Sequence, residues 1–247
     1  MYEEHYVFIP PEEDDAKIWR YMDFTKFVSI LDRRALFFVR SDKLSDGHEG
    51  SYSYCDVKAR CDEYKGDAAE AYLKRLPKVA RDLREAIFIN CWHLSTYESE
   101  AMWNLYAKNE ESIAIQSTYK KLKECFDSSS ETIFIGKVSY IDYDTERMPK
   151  GNLLYPFVHK RKNYEHEKEL RAVIMKLPSE KGRVISPNQV ISGSGLYVNI
   201  DIDKLIECVY VSPKASDWFY DLIKSIIIKS DYGFDVLKSD LCRSPRY

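Results

Sequence analysis

The chain has 247 residues and a formal net charge of −3, with 45% apolar and 31% charged residues. That length carries one large domain with an ample core, and the mild acidity excludes a global pull toward nucleic acid or an anionic membrane, leaving only local basic patches for such partners. No apolar run approaches the roughly 20 residues of a membrane span, and the N-terminus MYEEHYVFIPPEEDD lacks the basic and then apolar layout of a signal peptide, so a cytoplasmic protein is expected.

Residues 1 to 17 are acidic and hold Pro10-Pro11, which fits an extended N-terminal arm. Lys17 to Met22 reads as a first strand. Phe24, Phe27, Val28 and Leu31 follow helical spacing behind Asp23 as N-cap, and Ala35 to Arg40 reads as a second strand. Ser41 to Ser53 is a polar loop with Gly47 and Gly50, in which His48, Asp46 and Glu49 form either a polar turn or an active-site or metal cluster. Residues 54 to 85 are charged, alanine-rich and helical, interrupted at Pro77, and are expected to form a helical insertion or lid.

Ala86 to His93 has the length and β-branched content of a buried strand. His93 at its end is either a satisfied buried histidine or a general base. A helix from about Glu98 carries Met102, Trp103 and Tyr106, and a strand follows at Ser112 to Gln116. Thr118 caps a short helix that ends near Phe126, and Glu131 to Tyr143 reads as one long strand or hairpin arm. Leu153 to Asn163 is helical or irregular and ends in the basic tetrad His159, Lys160, Arg161 and Lys162.

The segment after Met175 up to Gly195 is rich in turn formers and reads as a long loop or hairpin. A strand at Leu196 to Ile202, a turn, a strand at Cys208 to Ser212, a helix at Ala215 to Lys229 with Trp218, Leu222, Ile226 and Lys229 in register, and a strand at Phe234 to Leu237 complete the chain. Many short strands with bunched helices argue an α+β fold with a split, largely antiparallel sheet and flanking helices, in a single domain spanning residues 1 to 247. The six cysteines show no metal spacing and are expected to be buried thiols.

The stretch with most chemical content is Tyr164 to Met175, YEHEKELRAVIM. On a strand from Lys168 to Lys176, Glu167 and Glu169 project to one side at its entrance, whereas a helix would part them by about 200°. Two carboxylates so placed repel each other unless a cation or a substrate donor lies between them. The bland alternative is a solvated strand entrance with Arg171 pairing a glutamate.

Five strings resemble, in this order, a bacterial family known as domain of unknown function 2971: YMDF at Tyr21 to Phe24, SDGHEG at Ser45 to Gly50, CWHLS with MWNLY between Cys91 and Tyr106, YEHEKELR at Tyr164 to Arg171, and IDIDKLIECVYVSP at Ile200 to Pro213. The chain departs in the loop, where Gly47 and His48 stand for a proline-hydrophobic pair. A weaker resemblance is to ADP-ribosyltransferases of the Arg-Ser-Glu type, carried by Arg20 on a first strand, Ser95-Thr96 after a middle strand and Glu167-Lys168-Glu169 before a later one.

That second resemblance implies an ADP-ribosyltransferase-like fold and NAD as substrate, without a metal. Its function would be mono-ADP-ribosyl transfer or NAD glycohydrolysis, in a setting such as bacterial defence or toxin activity. Glu169 would stabilise the positive charge developing on the ribose, and Glu167 would orient or deprotonate the acceptor, its proton affinity raised by its neighbour. Arg20 would fork onto a phosphate, Ser95 with Thr96 would bind substrate or Glu169, and Tyr21, Trp103 or Tyr106 would stack on nicotinamide. The acceptor stays open between protein, nucleic acid and small molecule. The rival classes are a nucleic-acid-binding protein or nuclease, resting on the basic tetrad beside the glutamates, and a non-enzymatic interaction module.

Overall fold

The computed structural model describes residues 1–63, 65–107, 109–177, 179–180, 183–184 and 193–245. Strand β1 (Lys17–Asp23) leads into helix α1 (Phe24–Arg33), whose first turn is capped by the Asp23 carboxylate accepting from the Lys26 N–H at 2.9 Å. Arg34, in the left-handed region at φ 49°, ends that helix and starts strand β2 (Ala35–Arg40). Helices α2 (Tyr54–Glu63) and α3 (Asp67–Ala86) follow, then strand β3 (Ile87–Leu94), helix α4 (Glu100–Tyr106) and strand β4 (Ser112–Thr118). Helix α5 (Tyr119–Glu124) is capped by Thr118, and the chain continues through β5 (Phe134–Lys137), β6 (Ser139–Ile141), β7 (His159–Arg161) and β8 (Glu169–Met175). Short strands β9 (Ser179–Glu180) and β10 (Arg183–Val184) pair with each other, ahead of β11 (Gly195–Asn199), α6 (Ile202–Leu205), β12 (Cys208–Val211), α7 (Asp217–Lys229) and β13 (Asp235–Lys238).

Among the described residues the main sheet is α+β in character and largely antiparallel, ordered β11-β2-β3-β1-β4-β12-β13, with β8 and then β5 laid on the other edge of β3. Only β12 with β13 runs parallel in it. The sheet is split at β3. One of its edges pairs with β8 from Ile87 to His93, while the other pairs with β2 at Phe88 and Ile89 and with β1 only at His93 and Leu94. Between those two contacts the edge is open, and Asn90 bridges part of it by donating to the Phe37 carbonyl at 2.9 Å. A backbone edge left without a ladder partner needs such a substitute. This opening positions the site described below.

The core lies on both sides of β3, with Trp92, Phe88, Leu170 and Ile174 in the larger cluster and Ile89, Val173, Phe157 and Phe8 in the second. Residues 1–16 run against β5: the Glu3 N–H donates to the Ile133 carbonyl, the Lys137 N–H donates to the Ile9 carbonyl, and Val7 and Phe8 are buried. No helix among the described residues is long and apolar enough to cross a membrane.

Several expectations need correction. Helix α3 runs through Pro77, because its C-terminal part is held by burial of Leu83 and Ala86; the break falls before it, where Gly66 has φ 95°. The stretch Glu131 to Tyr143 is not one strand. At Val138 the chain exchanges partners, its N–H going to the Glu169 carbonyl while the next N–H, of Ser139, goes to Val158, so β5 and β6 belong to different sheets. Residues 159–161 form a strand rather than a helix.

Helix α7 buries Phe219, Ile223 and Ile227, one position round from the expected stripe, leaving Trp218 exposed. Both ladders are apolar, so periodicity does not distinguish them, and the contact of Phe219 with Phe24 at 5.5 Å does. Of the cysteines, Cys125 and Cys208 are buried, whereas Cys61 and Cys242 are exposed. The turn-rich segment before Gly195 lies mostly outside the described residues.

Candidate active site

The opening in the sheet leads to a cavity of about 570 Å³ whose walls come from β1, β2, β3, α4, β7 and β8. Its floor is a buried chain of charges. Arg171, fully buried on β8, donates from Nε to Glu169 Oε2 at 2.5 Å and forks onto Glu49 at 2.8 and 2.9 Å. A further donor of the same guanidinium reaches the Phe157 carbonyl at 2.8 Å. Lys160, on β7, donates from Nζ to Glu169 Oε1 at 2.7 Å and to Glu167 Oε2 at 2.5 Å, and lies 3.4 Å from Glu49 Oε1. Tyr106 donates its hydroxyl to Glu167 Oε1 at 3.1 Å.

Local backbone conformation brings the glutamates together. Glu167 ends a 3-10 turn, Glu169 opens β8, and Lys168 between them has φ 40° and ψ 54°. This left-handed residue turns the chain sharply, so the two carboxylates meet at one ammonium although they do not share a strand. The cation that such a pair requires is Lys160. It was legible only as part of a basic block, and the mutual repulsion of Glu167 and Glu169 is the signal that pointed to it.

The tetrad containing Lys160 does not form one basic surface. His159 is buried with Nδ1 donating to the Tyr155 carbonyl, Lys160 turns into the cavity, Arg161 reaches Asp46 at 3.0 Å, and Lys162 is exposed. Two more participants are Glu49, from the loop cluster read as a polar turn or an active-site or metal cluster, and Tyr164, which opens the glutamate stretch. Glu49 lies in the loop after β2, lines the cavity and is held chiefly by the Arg171 fork, with Lys160 at 3.4 Å; Tyr164 packs its ring 4.5 Å from the Lys160 ammonium.

Protonation within the chain is uneven. Burial first, and then the neighbouring Glu169, push Glu167 up to about 7. Burial would also raise Glu169, but Arg171, its hydrogen bond with Glu167 and the Lys160 charge overcome it and hold Glu169 well below the ordinary carboxylate range. Three carboxylates, Glu49, Glu167 and Glu169, face two cations, Lys160 and Arg171. When all are ionised, one negative charge is left over at the cavity floor.

Arg20 lines the same cavity from β1, with its guanidinium 5.8 Å from the Trp92 ring. Its Nη1 is buried without a hydrogen-bond partner among the described residues, and burial lowers its proton affinity to about 10. A buried donor left unmade costs on the order of 1–3 kcal/mol. A ligand anion is the natural partner for it.

Of the other residues singled out in the sequence, Tyr21 and Tyr106 line the cavity with Arg20, Glu167 and Glu169. Tyr21 is fixed by accepting the Ser99 N–H at 2.7 Å. Ser95, Thr96 and Trp103 are not in the lining. Ser95 Oγ donates to the Tyr97 carbonyl at 2.7 Å and accepts the Tyr97 N–H, Thr96 is exposed, and the cap of α4 is Ser99. Trp103 is buried behind Tyr21, ring centroids 5.0 Å apart at 81°, with its indole N–H on Glu98. It supports Tyr21 rather than facing the cavity. His93 does face it, with Nδ1 donating to the Glu167 carbonyl at 2.6 Å, which directs Nε2 to act as acceptor.

No protein-family model matches the chain and no curated protein matches its sequence, so the resemblance to domain of unknown function 2971 stands on its motifs alone. Solved structures that align with it include two of the same protein. Thermus sp. 2.9 DarT in complex with NAD+ does so at 10% identity and TM-score 0.42, over 95% of this chain and 100% of that one. Thermus sp. 2.9 DarT in complex with ADP-ribosylated ssDNA does so at 9% identity and TM-score 0.41, over 94% and 96%. Likeness at that level does not bear on chemistry, which rests on the geometry of the cavity.

Proposed function

We propose that the cavity binds NAD and breaks its bond between nicotinamide and ribose, passing ADP-ribose to an acceptor or to water. The observation that carries this reading is a separation of charge within one cavity: Arg20, whose buried Nη1 has no hydrogen-bond partner among the described residues, stands apart from a floor left with one uncompensated negative charge when Glu167 is ionised. A ligand that is anionic in its middle and cationic at one end, with that positive charge passing from nicotinamide to ribose as the bond breaks, matches both.

In this mechanism Arg20 forks onto a phosphate, where a planar guanidinium suits two oxygens. The electron pair of the breaking bond leaves on the nicotinamide nitrogen, which becomes neutral, and positive charge grows on the ribose. Glu169, clamped by Lys160 and Arg171, stays ionised and cannot swing away, so its field is preorganised for that charge. Glu167 takes the proton of the attacking hydroxyl or water, a role suited to a carboxyl whose proton affinity lies near neutral pH. Tyr106, held on Glu167, or Tyr21 offers a ring to the leaving base.

The test is incubation with NAD labelled in its nicotinamide, comparing wild type with Glu169→Gln and Glu167→Gln after each is shown to melt cooperatively. Nicotinamide release above background in wild type, lost by at least about a hundredfold in Glu169→Gln, is the expected result. Equal background release from all three removes the enzymatic reading.

A further inference from the structure

We infer that Lys160 is a positioning residue of this site: its ammonium holds both glutamates at a common point and leaves Glu167, of the three carboxylates it reaches, the one free to exchange a proton. The inference rests on the reading of the cavity as an NAD-cleaving site, and it assigns the device that gives two adjacent glutamates different tasks.

The geometry is asymmetric. Glu169 has a cation on each oxygen, Lys160 on Oε1 and Arg171 on Oε2. Glu49 has both oxygens on the Arg171 fork. Glu167 has Lys160 on Oε2, while its other partners, the Tyr106 hydroxyl on Oε1 and the Glu169 carboxylate, bring no positive charge. The carboxylate with the weakest cationic support takes the proton that two cations leave unneutralised among three acids. An ammonium has three donors, of which this one gives one to Glu167 and one to Glu169, with Glu49 at 3.4 Å on a further side, so its charge is engaged chiefly by the three acids. Its effect on catalysis is exerted through the glutamates.

The charged groups facing Glu167 are Lys160 of β7, Glu169 and Arg171 of β8, Glu49 of the loop after β2, and Arg20 of β1. The tyrosine, histidine and cysteine side chains around it include Tyr106 of α4, Tyr164 of the turn before β8, His93 and Cys91 of β3, and Tyr140 of β6. Burial pushes Tyr106, Cys91 and Tyr140 up and His93 down, so none of these four carries charge near neutral pH to compete with Glu167 for the role.

The test follows the carboxyl carbons of the full chain labelled with glutamate enriched in carbon-13 at the carboxyl, with Glu167→Gln supplying the assignment. In wild type the Glu167 resonance is expected to titrate near pH 7. In Lys160→Met the midpoint should rise by about one unit or more, a tenfold change in proton affinity, and in Lys160→Arg, which restores the charge, it should stay within about half a unit of wild type. An unmoved midpoint in folded Lys160→Met overturns the assignment. Should Lys160→Met fail to fold, Lys160→Gln takes its place. Should neither neutral variant fold, Lys160→Arg decides alone: a midpoint kept near wild type supports the assignment, and one displaced by a unit or more overturns it.

With NAD, the pH profile of kcat for nicotinamide release should move with that midpoint while KM changes less than about threefold. A loss carried by KM alone would make Lys160 a ligand-binding group and overturn the inference. If wild type releases no nicotinamide at any pH, the NAD-cleaving reading fails, and the carbon-13 titration still reports whether Lys160 sets the order of protonation.

Discussion

Glu167 and Glu169 leave the backbone from different elements and meet at the Lys160 ammonium, because Lys168 between them takes the left-handed conformation at φ 40°. The turn at that residue converts a sequence spacing of two into a shared coordination point. It places the group with adjustable protonation beside the group that is locked in the ionised form.

A left-handed conformation disfavours any residue with a β-carbon, most of all a β-branched one. Lys168→Val is therefore expected to lower stability by about 1–2 kcal/mol, while Lys168→Gly stays within about 0.5 kcal/mol of wild type as relief of strain and added chain entropy offset each other. Urea denaturation of the two variants checks this. Equal stabilities would show that the turn is not strained.

Arg171 is the sole cation holding both Glu49 oxygens and one of Glu169 among the described residues. Replacing it by Met takes the fork from buried Glu49 and leaves Lys160 as the one cation beside both buried carboxylates, and a loss of about 3–5 kcal/mol is expected. Arg171→Lys keeps the charge but not the fork, so it should fall between Met and wild type. Denaturation curves at neutral pH decide the order.

The pH dependence of stability follows from the opposite displacements of the two glutamates. Glu167 binds its proton more tightly folded than unfolded, so its contribution is fully present below its ordinary value of 4.5 and is lost as pH rises toward about 7. Glu169 is displaced the other way, so its contribution is present above 4.5 and is lost as pH falls below it. Wild type should thus lose stability between pH 5 and 7, and Glu167→Gln should be flatter over that window. Denaturation midpoints at several pH values compare the slopes, and parallel curves would contradict the shift on Glu167.

Arg20→Met should separate binding from stability. The variant removes a buried donor without a partner, so stability should hold or rise by about 1 kcal/mol. Affinity for ADP-ribose, measured by titration calorimetry, should fall at least about tenfold with the loss of a charge-assisted phosphate contact. Unchanged affinity would take Arg20 out of the binding site.

Gly136 on β5 lies beneath the N-terminal residues, where an added β-carbon would come 2.7 Å from the backbone of Phe8. Gly136→Ala is expected to cost about 1–3 kcal/mol and to expose residues 1–16 to limited proteolysis, since the strand and the segment above it must part. An unchanged digestion pattern would show that the contact yields without displacing the segment.

The short-range features of this protein were set by sequence alone. Asp23 before Phe24 and Thr118 before Tyr119 are side chains that cap the turn next to them, and Ala35–Arg40 is a β-branched and aromatic run between an ended helix and a polar loop. Such signals act over three or four residues and survive in the fold because nothing distant opposes them. The stripe of α7 and the division of Glu131–Tyr143 at Val138 were beyond that reach, because equal apolar ladders and interchangeable strand partners are distinguished only by what packs against them.

The site divides along the same line. Two acids at a spacing of two, with their need for a cation, were legible at Glu167 and Glu169. That the cation is Lys160 and that Arg171 binds Glu49 across 122 residues of chain were decided by the tertiary structure. Charge complementarity acts through space, and only folding states which charges become neighbours.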